Sequence, residues 1–94
     1  MKSGADLSVS VSLRSDRANL TFLDGAGVTV LKDSVMYAGR IRKVDRSVGS
    51  LEFEAEIGVF FFETEPVFRA GETVGLCDGP HMLGSAKVKS SSYW

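Results

Sequence analysis

The chain has 94 residues and a mass of 10.1 kDa, which leaves room for one hydrophobic core and therefore one domain. Its formal net charge of −1 argues against a strongly basic nucleic-acid-binding module. The longest nearly apolar stretch, 57–62, is far below the roughly 20 residues that cross a bilayer as a helix, and no apolar targeting segment follows Lys2. The single cysteine excludes an internal disulfide. A cytoplasmic protein without a membrane partner is expected.

Alternation at period two dominates the sequence and predicts strands. Leu7, Val9, Val11 and Leu13 alternate with Ser8, Ser10 and Ser12, giving one apolar face and one small polar face. After a polar break at 15–17, a short run over 18–23 leads into Asp24-Gly25, a tight-turn pair. Val28, Val30 and Leu31 form the third candidate, closed by Lys32-Asp33-Ser34. The fourth, 35–44, carries Tyr37, Gly39 and Ile41 on one face, and its mid-strand glycine predicts a bulge or bend. The fifth, 51–62, sets Leu51, Phe53, Ala55, Ile57, Val59 and Phe61 against Glu52, Glu54 and Glu56. Shorter candidates lie at 67–68, 73–77 and 82–88, separated by Ala70-Gly71 and Asp78-Gly79-Pro80.

No segment has sustained helical spacing, so little or no helix is expected. The pattern predicts an all-β single domain over 1–89, a small closed barrel of about seven or eight short, mainly antiparallel strands. Residues 90–94 are expected to form a flexible tail unless Tyr93 and Trp94 dock. The expected core is Leu7, Val9, Val11, Leu13, Val28, Val30, Ile41, Leu51, Phe53, Ala55, Ile57, Val59, Val74, Leu76 and Val88.

Two features stand out as candidate contact residues. Arg40, Arg42, Lys43 and Arg46 place four basic residues in seven positions, a pattern that can grip phosphates. A hairpin pairing Ile41 with Ala55 would instead face Arg42 with Glu54 and Arg40 with Glu56, leaving Lys43 and Arg46 less accounted for. Phe60 and Phe62 fall on the glutamate face of their strand. Either a loop or strand covers them, or they form an exposed patch for a partner or a homo-oligomer.

Other groups have simpler readings. Cys77 and His81 stand four apart, but a metal or nucleophilic site needs further partners, so a buried cysteine beside a turn histidine is expected. Asp24-Gly25-Ala26-Gly27 lacks the helix and Lys-Ser/Thr pair of a phosphate loop. Glu52, Glu54 and Glu56 line up outward, with no sign of the pocket that would raise one carboxyl pKa. No enzyme activity, metal or cofactor is expected.

Two resemblances carry functional expectations. Phe53-Glu54-Ala55-Glu56-Ile57, Glu65-Pro66, the run 70–76 and the run 83–88 resemble the β-barrel domains of translational GTPases of the elongation factor Tu type. The likeness covers 51–89, without the phosphate-binding and guanine-recognition motifs, and here some 50 residues precede the Phe-x-Ala-Glu strand that opens the family's barrel. It implies a non-enzymatic binding barrel contacting structured RNA or a translation protein. The segment 45–51 with Ala70-Gly71-Glu72-Thr73-Val74 resembles the core of a PilZ domain, which binds cyclic di-GMP. Asp45 and Ser47 match that family's motif, but Ser50 replaces its glycine, and Arg14 and Arg17 are three apart instead of four. That resemblance implies a degenerate site and a role through protein contacts. A third expectation is an assembly subunit, such as a virion or tail component, using Phe60 and Phe62 in an oligomer interface.

Overall fold

The structure, a computed structural model, describes residues 3–14, 24–45, 51–62 and 66–94. Six strands form among them: β1 (Gly4–Leu13), β2 (Gly27–Lys32), β3 (Val35–Asp45), β4 (Glu52–Phe60), β5 (Thr73–Asp78) and β6 (His81–Tyr93). They close into a barrel in the order β1-β4-β3-β2-β5-β6, with every neighbouring pair antiparallel. The all-β barrel matches the periodicity; the expected strand number does not. The candidate at 18–23 lies outside the described residues, and Val67-Phe68 is not a strand. No helix among the described residues is long and apolar enough to cross a membrane.

Antiparallel pairing puts the start of β1, β3 and β5 and the end of β2, β4 and β6 at one end of the barrel, called here the terminal end. The β2–β3 connection is a two-residue hairpin in which Asp33 and Ser34 have φ of 51° and 66°. Positive φ at both turn residues matches the right-handed twist of the flanking strands, and Asp tolerates it better than a β-branched residue would. β4 and β5 are not neighbours; two strands, β3 and β2, separate them in the closed order. Their connection must therefore cross the terminal end.

The inward positions supply the core. All fifteen expected core residues are buried except Leu51, which is half-buried and packs against the cluster. Ala5, Phe61, Phe68, Cys77 and Ala86 join them. Three register shifts curve the barrel: Arg42 is the extra residue between β3 and β4, Lys89 between β6 and β1, and Leu83 between β6 and β5. The bulge on β3 falls three residues past Gly39, where the sequence placed it.

Of residues 90–94, expected as a tail, 90–93 continue β6. Tyr93 pairs with Ala5, and the Trp94 N–H donates to the Gly4 carbonyl at 2.9 Å. β1 begins three residues earlier than the alternation indicated, and that extension gives β6 its partner.

Two glycines separate backbone from side-chain crowding. A Cβ at Gly84 would run into the Ser12 carbonyl oxygen and sit 2.8 Å from Leu13 Cα, backbone atoms that cannot yield. One at Gly58 would meet only the mobile end of Arg42, 2.7 Å from its Nε. Gly84→Ala is thus expected to destabilise by about 1–3 kcal/mol, while Gly58→Ala shifts Arg42 and stays within about 1 kcal/mol of the parent. Urea unfolding of both variants checks the contrast.

Candidate interaction surface

β3 carries the basic candidates, but in a different register from the expected hairpin. Ile41 pairs with Ile57 rather than Ala55, so Arg40 lies opposite Gly58 and Lys43 opposite Glu56. Arg42, pushed out by the bulge, faces neither glutamate. Its Nε lies 3.5 Å from Asp6 Oδ1 on β1, and its guanidinium sits 6.0 Å from the Trp94 ring centre. Arg40 donates from Nη1 to the Gly25 carbonyl at 3.2 Å. Glu54 is engaged from the other side, accepting from Ser10 Oγ at 3.0 Å and from Lys89 Nζ at 3.2 Å. Those contacts, the Ser10 hydrogen bond first, hold the Glu54 carboxyl below its ordinary range. Arg46 lies outside the described residues.

The two phenylalanines divide between the expected alternatives. Phe60 is half-buried and meets the Trp94 ring edge-on at 5.5 Å, whereas Phe62 is 86% exposed. Phe61 points inward between them, 6.2 Å from Tyr93. Phe62 has company. Among the described residues, six large hydrophobics are exposed, and five of them surround the terminal end: Val35 (48%), Met36 (61%), Phe62, Val67 (57%) and Trp94 (39%). An open groove of about 460 Å³ lies between 35–38 of β3 and 60–62, and the described side chains that line it carry no charge. The sequence reading singled out Phe60 and Phe62 but not Val35, Met36 and Val67. The adjacent apolar pair opening β3 was the available signal.

Beside the groove, the crossover 66–72 seals the barrel end. Phe68 is 4% exposed and meets Tyr37 edge-on at 6.2 Å. Its N–H donates to Tyr93 Oη at 2.8 Å, its carbonyl accepts from Ser91 Oγ at 3.2 Å, and Tyr93 Oη donates to the Pro66 carbonyl at 2.9 Å. Lys32, its side chain only 10% exposed, bonds Glu72 Oε2 at 2.6 Å and lies 5.7 Å from the Phe68 ring centre. Glu72 Oε1 accepts from the Arg69 N–H at 3.0 Å. The Glu72 hydrogen bond raises the Lys32 pKa against the opposing effect of burial.

The remaining candidates are dispersed. Cys77 is buried with Sγ 3.9 Å from Met82 Sδ, and His81 is exposed, on the far side of the Gly79-Pro80 turn. Arg14 follows β1 and Asp45 closes β3, both at the end opposite the groove; Arg17 and Ser47 lie outside the described residues. No group of three or more His, Cys, Asp or Glu side chains among the described residues is placed to hold a metal ion. In comparisons with known proteins, no family model matches, and no curated protein or solved structure matches significantly.

The Lys32–Glu72 pair gives a signed pH dependence. Because the folded pKa of Lys32 is raised, its contribution is complete below the unfolded value of about 10.4 and is lost as pH rises through the folded one. Lys32→Met is expected to cost about 1–3 kcal/mol at neutral pH, by leaving Glu72 without its cation. The difference from the parent should shrink above about pH 10.4. Denaturant unfolding of both proteins between neutral and alkaline pH measures it.

Proposed function

We propose that the chain is a non-enzymatic binding module that contacts a partner protein through the terminal end of its barrel. The observation that carries this reading is the gathering of Val35, Met36, Phe62, Val67 and Trp94 around one end, continuous with the uncharged groove. Monomeric proteins rarely leave such a set of apolar side chains contiguous in water unless something covers it. The dispersal of Cys77, His81 and the outward glutamates favours binding over catalysis. The likeness of 51–89 to translational GTPase barrels favours the same class and makes a translation protein one such partner.

A second reading, contact with structured RNA, is favoured by Arg42 lying beside Trp94 with Arg40 and Lys43 on the same strand. Against it stand Asp6, beside Arg42, and Glu56, opposite Lys43. The cyclic di-GMP reading would require Arg14, Arg17, Asp45 and Ser47 to converge.

Phe62→Ser tests the first reading. Phe62 is almost fully exposed, so the substitution should alter stability by no more than about 0.5 kcal/mol. Proteins cross-linked to the parent chain and identified by mass spectrometry are expected to be lost with the variant. Identical cross-linking by both, with salt-sensitive RNA binding that fails in Arg42→Ala, would favour the RNA reading instead.

A further inference from the structure

The pairing of β3 with β4 begins only at Gly39–Val59, whereas β3 pairs with β2 from Val35 onward. Among the described residues, 35–38 therefore have a strand on one side and the groove on the other. The two-residue turn makes Lys32 and Val35 a hydrogen-bonded pair, and the Ile41 N–H to Ala26 carbonyl bond of 2.8 Å keeps the same phase. Odd-numbered residues thus direct their backbone groups to β2, and Met36 and Ala38 direct theirs to the groove side. Sheets usually blunt such an edge with charge, proline or a covering element. Val35-Met36-Tyr37-Ala38 contains neither charge nor proline.

We propose that this edge accepts an extended segment of a partner protein as an added antiparallel strand, an inference that rests on the protein-contact reading above. The borders of the groove define the chemistry of that segment. Its described walls are uncharged, exposed Arg40 stands beyond one end, and Asp33, whose side chain is 85% exposed while its carboxylate accepts from Lys32 Nζ at 3.2 Å, stands at the other. An antiparallel strand that complements them brings an acidic residue towards Arg40 first, then apolar residues alternating towards Tyr37 and Val35, then a basic residue towards Asp33.

A second copy of β3 does not fit. Self-pairing centred on Met36 sets Asp33 and Ser34 of one chain opposite Gly39 and Ala38 of the other, where Val59 already pairs with Gly39. Self-pairing centred on Val35 recruits Asp33 and Ser34 as strand residues, which their positive φ forbids. The occupant is a different segment.

The test is an amide-resolved NMR titration of the full chain with two capped pentapeptides, Asp-Val-Thr-Val-Lys and the charge-swapped Lys-Val-Thr-Val-Asp. The expected result is tighter binding of the acid-first peptide, with shifts over 35–38 and amide exchange at Met36 and Ala38 slowed about tenfold. Met36→Pro removes a groove-side N–H without touching the bonds to β2, so it should abolish binding while leaving the β2–β3 amide shifts in place. Shifts confined to Phe62 and Val67 without slowed exchange would overturn strand addition yet leave the contact surface standing. So would undiminished binding by a folded Met36→Pro. Silence at both places would remove the contact reading as well.

Discussion

The burial of Phe68 under the β4–β5 crossover is the constraint on which the rest of the terminal end depends. A closed order that separates β4 from β5 by two strands obliges the intervening chain to span the barrel mouth. An aromatic side chain turned inward from that span fills the mouth and contributes about 1.5–3 kcal/mol of apolar burial. The span needs polar anchors, because its backbone groups lie over a core that offers them none. Tyr93, Ser91 and the Lys32–Glu72 pair supply these. Three elements are lengthened or ended to suit: β6 runs on to Tyr93, β2 stops with Lys32 in reach, and β3 brings Tyr37 against the plug.

The same crossover explains the groove. To reach the mouth, the chain must part from β3 after Val59, four residues before β3 runs out on that side. Phe61 turns inward to Tyr93 and Phe62 is carried into solvent. Residues 35–38 are thereby separated from the strand that would have continued beside them. The exposed apolar rim is thus a geometric consequence of closing a six-stranded barrel with a crossing connection. That the rim is built of Val, Met and Phe, rather than polar residues, is what asks for a functional account.

Much of the barrel was legible in the sequence because period-two alternation reports which side chains face inward. The inward set from Leu7 to Val88 was therefore recoverable, and so was the all-β character of the described residues. Register was not, since sliding Ile41 from Ala55 to Ile57 keeps every residue on its own face and changes only which charges meet. The bulge at Arg42 then turned that arginine away from Glu54 and towards Asp6. The tail was left conditional for a related reason: Ser90-Ser91-Ser92 has no alternation of its own, and its order comes from the β1 backbone beside it. Val67-Phe68 looked like a short strand because a buried aromatic in a loop has the same local composition as one in a sheet.

Electrostatics on the outer face points the same way as the apolar rim. Arg42 is half-exposed and lies near Asp6, an arrangement worth at most about 1 kcal/mol in water. Its stacking on Trp94 adds packing more than charge. Together these contacts lay the guanidinium over β4 and β1 towards Trp94, just past the end of β6. Tyr37 links that end to the groove, because it lines the groove and also meets Phe68 at its edge. A strand seated on 35–38 would press on Tyr37 from outside while Phe68 holds it from within. The groove and the barrel closure therefore share one side chain, Tyr37, packed between the edge of β3 and Phe68.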